Sequence, residues 1–316
     1  MVTTNLSGTY TITAGKIALV IKPGVILTGP GTASTAIFAD TKNFLWVEGI
    51  IAYAARTDFR GLDWITVKFS VLHNLSVSNS AANGISLFSS DSNRLFFITS
   101  TRNNGVGVAL VSSSNNTLSI VNANSNSSGI NLSFSSNNDL SHIFTFSNSG
   151  VGRNAGLGIF IDQSDNNSLT DVIAANNVNG GVSVARSSNN TLSNITAINT
   201  RAGVDLSNSS SNSLLNITVA NAGFSPGLTL RLTSVNNTLS NITITNSASY
   251  GILINGSSSN NALMNIAAAN HDLSGITLQS SSSNNTFSNT SVANIIGATG
   301  TGFSLDTSSN NYFTGL

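Results

Sequence analysis

The chain has no cysteine, 3 prolines among 316 residues, and only 12 basic and 12 acidic side chains. Without cysteine there is no disulfide scaffold, thiolate metal site or cysteine nucleophile. The formal net charge is zero, so the basic excess that would displace counterions from a nucleic acid is missing. No apolar run reaches the length that crosses a bilayer as a helix. The opening MVTTNLSGTY has neither the charged nor the apolar region of an export signal, which implies processing, trimming or another export route. What fills the chain instead is 46 Asn and 53 Ser, close to a third of all positions. Such bias usually accompanies disorder. Here it coexists with 40% hydrophobic residues, too many for a chain unable to bury a core.

The order lies in a repeat. An apolar landmark, usually preceded by Asn-Asn-x, recurs at Leu72, Leu95, Leu118, Leu140, Leu169, Leu192, Leu214, Leu239, Leu263, Phe287 and Phe313. A second landmark, Gly-apolar-x-apolar, begins at Gly61 and recurs to Gly302. From each glycine to the next apolar landmark is always 11 or 12 residues, whereas the return distance stretches to 18 between Leu140 and Gly158. One side of each unit is length-locked and the other accepts insertions. Within units the apolar period is two, as in Gly203-Val204-Asp205-Leu206 and Ile242-Thr243-Ile244-Thr245, which reads as short strands of three to five residues separated by Ser/Asn/Gly turns. A unit of about 23 residues cannot bury its own apolar face, so units must stack, strand over parallel strand about 4.8 Å apart. The expected fold is all-β: a right-handed, single-stranded parallel β-helix of about 11–13 coils of 22–25 residues. Residues 1–60 read as irregular N-terminal coils, with a protruding segment expected at Ala54–Arg60. Residues 61–316 read as regular coils, all in one continuous domain.

Stacking gives the asparagines a task. Seven residues past the landmark stand Asn176, Asn199, Asn221, Asn246, Asn270 and Asn294, on six successive coils. Asparagine tolerates left-handed backbone at a turn, and stacked amides pass hydrogen bonds along the axis. These are assigned as a structural ladder, and the Ser-Asn-Asn turns as structural too. Among the Asn-x-Ser/Thr motifs, Asn74, Asn194, Asn216, Asn241 and Asn289 share one column, two places after the landmark, and are candidate glycosylation sites.

The units Asn-Asn-Thr-Leu-Ser-Asn-Ile-Thr at 189–196, nearly repeated at 236–243, resemble the right-handed parallel β-helix repeat. That repeat is shared by pectin-lyase-like proteins and the periplasmic copper-binding-type repeat family. The stretch Ile21-Lys22-Pro23-Gly24-Val25-Ile26-Leu27-Thr28-Gly29 also looks like the opening of such helices. The resemblance covers roughly residues 15–316. It implies the fold, and a range of functions from polysaccharide lyases, hydrolases and epimerases to tailspikes, adhesins and surface-layer-type proteins. Tandem Asn/Ser-rich versions are similar to archaeal and bacterial surface proteins.

Polysaccharide chemistry on such a scaffold needs several carboxylates on one face. The acids here are scattered, with one concentration near the insertion: Asp139, Asp162, Asp165 and Asp171, with Arg153 and Arg186 close in sequence. His142 and Asp171 each stand two places after a landmark and are expected to neighbour one another. If the chain is an enzyme, Asp162 or Asp165 is the acid/base and Arg153 the substrate-carboxylate partner; Trp46 and Trp64 mark an alternative glycan-binding region. His73, His142 and His271 lie on different coils, so no metal or cofactor is expected. Both ends read as open coils, and open ends stack head to tail. The expectation is therefore an extracellular, non-enzymatic structural protein, a surface-layer or filament subunit. Its partners would be copies of itself through the coil ends, with glycans possible and neither nucleic acid nor a membrane span involved. The alternative is a polysaccharide lyase or hydrolase, or a tailspike-like glycan binder.

Overall fold

The structure is a computed structural model that describes every residue except 1–3, 5, 24, 29–34, 53–59, 153 and 298–299. The segment expected to protrude at Ala54–Arg60 lies outside the described residues, apart from Arg60 itself. Strands account for all the regular secondary structure among the described residues, and they stack as a right-handed parallel β-solenoid of about 12 turns. The chain forms two compact units, Met1–Ile159 and Phe160–Leu316.

The first coils are built from strands of two to four residues, such as Tyr10–Ile12 and Ala18–Val20, and from Leu62 onward the coils of both units alternate one long and one short strand. The first unit has long strands Val71–Ser78, Arg94–Thr101, Thr117–Asn124 and Asp139–Phe146, with short strands such as Leu62–Ile65 and Ile85–Phe88. The second has Thr191–Ile198, Ser213–Ala220 and Thr238–Thr245, alternating with Val204–Ser207 and Leu228–Arg231. Every pairing is parallel, and the landmarks stack on themselves: Leu95 on Leu118, Leu118 on Leu140, Leu192 on Leu214, Leu214 on Leu239. These side chains are fully buried, which is why their spacing tolerates so little variation.

The long strands are longer than the three to five residues expected because they bend without breaking. Two places after each landmark one residue takes a left-handed backbone, as at Asn194 (φ 55°), Asn216 (φ 55°) and Asn241 (φ 56°), and the ladder resumes one residue later, from Ser193↔Leu215 to Ile195↔Ile217. Asparagine meets that geometry at little cost, and the bend turns one strand into two of the coil's walls. The recurring glycine answers a different constraint. A Cβ on Gly203 would sit 2.3 Å from both the Gly227 carbonyl oxygen and Val219 Cγ1, so the short strand reaches the coil above only without a side chain.

Half of the polar repeat lies inside. Ser187, Ser209, Ser234, Ser258 and Ser282 are fully buried, as are Asn167, Asn190, Asn212, Asn237, Asn261 and Asn285, each to within about 1%. The backbone N–H of Ser187 donates to Ser209 Oγ at 3.2 Å and that of Ser209 to Ser234 Oγ at 3.1 Å. The Asn190 N–H donates to Asn212 Oδ1 at 2.8 Å, and Asn190 Nδ2 donates to the same oxygen at 3.1 Å. At turns, some N–H groups still pair with the backbone of the next coil, as Asn189 N–H does with the Ser210 carbonyl at 3.2 Å; for these inward N–H groups the side chain of the next coil supplies the acceptor. A third inner column runs through Ser80, Asn103 and Asn126. In the second unit it is occupied by His271, whose Nδ1 accepts from the Ser247 N–H at 3.3 Å. The six-residue column Asn176–Asn294 stands outside, with left-handed φ between 52° and 61°, and Nδ2-to-Oδ1 bonds of 2.8 to 3.2 Å run through Asn270, Asn246, Asn221, Asn199 and Asn176.

Two outcomes follow. Asn190→Ala strands the Asn167 N–H, which donates to Asn190 Oδ1 at 2.8 Å, and should cost about 1–3 kcal/mol in denaturant unfolding. Asn221→Ser, on the outer ladder, should cost less. Burial holds the His271 imidazole below its ordinary range, against the opposing pull of Asp272. The unfolded chain therefore takes up a proton that the folded chain refuses. This contribution to stability is fully present above about pH 6.5 and is lost as pH falls through the folded value. Comparing Tm at pH 7.5 and 5, His271→Asn should shrink the drop seen in the parent chain.

Candidate functional site

Of the four carboxylates singled out in sequence, Asp162, Asp165 and Asp171 are engaged in holding coils together. Asp162 closes the strand Leu157–Asp162 and accepts from the Arg186 guanidinium. Asp165 Oδ1 accepts the Ser188 backbone N–H at 2.6 Å, the bond that Asp91 makes to Ser114 at 2.8 Å in the first unit. Asp171 stands at a left-handed bend (φ 56°) in the second unit and accepts Asn194 Nδ2 at 2.9 Å. His142 occupies the equivalent bend (φ 54°) in the first unit, where Asp139 is exposed at the start of Asp139–Phe146. Arg153 lies outside the described residues. Among the described residues no three His, Asp or Glu side chains converge at metal-holding distance. In the glycosylation column, Asn216 Nδ2 donates to Asn194, Asn241 to Asn216 and Asn289 to Asn265. The nitrogen that would carry a glycan is thus a link in an amide ladder. Asn74 takes the same bend (φ 46°) in the first unit.

A different constellation emerges on the outer face of the first unit. Alternation along the strand Trp46–Ala52 and the turn before it points Phe44, Trp46 and Glu48 outward. One coil on, Phe69, Val71 and His73 take those positions, and beyond them Arg94 and Phe96. Register sets Trp46 beside Val71, Val71 beside Arg94, and His73 beside Phe96. The rings meet: Phe44 stacks on Phe69 at 5.6 Å, Trp46 lies 5.2 Å from His73 and 6.4 Å from Phe96, and His73 lies 4.9 Å from Phe96. Phe97 closes one edge, 5.7 Å from His73, and the Arg94 guanidinium sits over Phe96 at 5.5 Å. Phe44, Phe69 and Phe97 are more than half exposed and Trp46 is 37% exposed. Trp64 is wholly buried in the core, so of the two tryptophans only Trp46 can meet a ligand.

Glu48 organises the centre of this face. Between Val47 and Gly49 the register slips, so that two residues on the neighbouring strand oppose Glu48 alone, a bulge that re-aims its side chain. Gly49 permits it, with φ 131° and no room for a Cβ, which would fall 2.3 Å from Ile21 Cβ. Glu48 Oε2 accepts from Trp46 Nε1 at 3.2 Å and lies 3.4 Å from His73 Nδ1. Burial works to raise the Glu48 carboxyl, but the Trp46 indole, His73 and Asn74 outweigh it and hold the group below its ordinary range. It is an ionised acceptor at neutral pH, fixing the Trp46 ring.

Three of these aromatics sit where the backbone resists them. Phe44 (φ 60°), Phe69 (φ 52°) and Phe97 (φ 55°) are left-handed. Corresponding positions on later coils carry Asn115, Asn137, Asn166 and Asn189, or Asn194, Asn216 and Asn241. A left-handed bulky residue costs roughly 1–2 kcal/mol, and such strain concentrates at functional sites. Sequence reasoning picked out Trp46, paired with Trp64, and missed the patch. The signal was available as phenylalanine in columns that later coils fill mostly with asparagine. Where the alternation along other strands would turn apolar residues outward, Leu215 and Met264 are exposed at 40% and 38%, whereas Phe160 and Leu253 are covered, at 7% and 9%.

Comparison with known proteins fixes the family. The model for the right-handed β-helix region matches residues 60–224 and 139–265, together well over half the chain. The chain belongs to the right-handed β-helix family. No curated protein sequence matches this β-helix chain. Among solved structures it is similar to the A-module of the mannuronan C-5 epimerase AlgE4 of Azotobacter vinelandii, with TM-score 0.57 and 15% identity over 94% of this chain and 90% of that one. The AlgE6 A-module gives TM-score 0.55 and 14% identity, over 95% and 84%. Tailspike protein 3 of bacteriophage CBA120 gives TM-score 0.57 and 11% identity over 96% of this chain, which spans 53% of the tailspike. At these identities the likeness is one of fold. It nevertheless corrects the expectation that this is not an enzyme: the A-modules of the mannuronan C-5 epimerases AlgE4 and AlgE6 share the fold over nearly the whole of this chain, so the fold is one that enzymes use.

Phe97→Asn tests the strain at the aromatic edge. It should raise stability by about 1 kcal/mol, read by thermal or denaturant unfolding, because the bend then holds the residue that later coils use.

Proposed function

We propose that this β-helix protein acts on or binds an extracellular polysaccharide, held on the Trp46–Phe97 face. The observation that carries the reading is the exposed aromatic grid, maintained against backbone strain. Sugar rings present apolar C–H faces and a hydroxyl rim, and exposed aromatic rings flanked by polar groups complement both. Trp46 and Phe96 provide the platform, Phe44 and Phe69 extend it across the preceding turn, and Glu48, His73 and Arg94 reach hydroxyl groups.

The same face holds groups able to move protons. Glu48 is an ionised carboxylate beside an imidazole, which is a base with a second titratable group in contact. The fold relatives' acquaintance with polysaccharides supports this reading. The filament reading has no such support, since no observation favours stacking through coil ends.

The test is affinity electrophoresis against a panel of neutral and acidic polysaccharides. Trp46→Ala and Phe96→Ala should each weaken retention at least about tenfold, in line with the loss of an aromatic anchor; unchanged retention in both variants rejects the face as the site. For any polysaccharide that is bound and turned over, Glu48→Gln keeps an acceptor for the Trp46 indole. It should therefore preserve binding while lowering turnover by about 10²-fold or more.

A further inference from the structure

The insertion after Leu140 builds a second feature, on the other end of the strand that carries Phe96. Arg94–Thr101 runs from the aromatic face to Arg102, where the chain turns left-handed (φ 55°) toward the short strand. There a cavity of about 510 Å³ opens, lined by Arg102, Asn104, Ser125, Ser127, Ser149 and Val151 among others. Its wall is fixed. The N–H groups of Ser149 and Gly150 donate to the carbonyls of Asn126 and Ser127 at 2.9 and 3.0 Å, and a Cβ on Gly150 would fall 2.0 Å from Ser127 Oγ. The floor is rigid as well, since Asn103 and Asn126 are buried and bonded within the inner ladder.

The lining has one sign of charge. None of the nine residues around the cavity is acidic, and Arg102 makes no ion pair among the described residues, whereas Arg60, Arg186 and Arg231 are each tied to an aspartate. Hydroxyl and amide groups make up most of the rest. A guanidinium with free donors, surrounded by groups that give and accept hydrogen bonds, matches an anion that also carries hydroxyls. The volume falls in the range of small-ligand sites and admits a sugar unit.

We infer that the Arg102 cavity is a binding site for a carboxylate-bearing sugar unit, separate from the aromatic face. That the sugar belongs to a polysaccharide rests on the function proposed above; the site itself does not. The carboxylate pairs with the Arg102 guanidinium, and the hydroxyls meet Asn104 and the serines.

Titration calorimetry with sodium glucuronate, glucose and sodium phosphate tests this on the full chain. Glucuronate should bind at least about tenfold more tightly than glucose, the scale of one charge-assisted hydrogen bond. Arg102→Asn should abolish that preference; asparagine holds this left-handed position on later coils, at Asn176 and Asn199, so the variant keeps the local backbone. Glucuronate affinity unaffected by Arg102→Asn overturns the site, even where Trp46→Ala abolishes polysaccharide retention and the proposed function stands. Phosphate bound as tightly as glucuronate overturns the sugar assignment, leaving a plain anion site.

Discussion

The hydrogen bond from a turn N–H on one coil to a side-chain oxygen on the next is the constraint on which the rest depends. Strands pair backbone to backbone throughout, but turns do so at only some of their N–H groups, and a solenoid buries the remaining ones under the following coil at every repeat. Ser187, Ser209 and Ser234, and Asn190, Asn212 and Asn237, close those gaps with Oγ and Oδ1 acceptors at 2.8 to 3.2 Å. Because each ladder residue is both donor and acceptor, the columns are satisfied only when successive coils carry compatible residues. That is the physical origin of a chain built from serine and asparagine. It also explains the scarcity of charge, since identical ions on successive coils would stand about 4.8 Å apart and repel.

Against this background, departures from the columns carry the information about function. Phenylalanine at left-handed positions 44, 69 and 97 sacrifices stability that asparagine would supply, and these three share a face with Trp46 and Glu48, whereas Ile120, Phe134 and Leu232 are single left-handed apolar residues elsewhere. The acids near the insertion behave in the opposite way. Asp165 is a ladder residue in a slightly different dress, performing for Ser188 what Asp91 performs for Ser114, and Asp162 is neutralised across coils by Arg186. A residue type suited to catalysis is therefore no guide here until its inter-coil partner is known.

Much of the fold was legible in sequence. The period of about 23 residues, the period-two alternation and the nearly constant distance from glycine to landmark require stacked parallel coils, and the outward column Asn176–Asn294 could be counted out directly. The inner polar columns were legible in principle. The residue two before the landmark is asparagine from Asn93 to Asn311 without exception, while its predecessor varies between serine, as at Ser92 and Ser211, and asparagine, as at Asn115. Invariance of that kind marks the buried member of the pair. Composition-based reasoning instead places both in solvent, because asparagine is usually exposed. The bend inside the long strand was hidden for a similar reason, since a single left-handed residue leaves the alternation almost intact.

By itself the sequence determined the parallel solenoid, its coil length and the place where an insertion is tolerated, because a repeat too small to bury its own apolar face has no other stable arrangement. Only the tertiary structure decided which polar residues face inward, that Trp64 is core while Trp46 is surface, and that Phe44, Phe69, His73 and Phe96 share a face with Glu48. Those outcomes turn on register between coils and on one bulge at Gly49, and residues some 20 to 50 positions apart become neighbours only when strands pair at a particular offset.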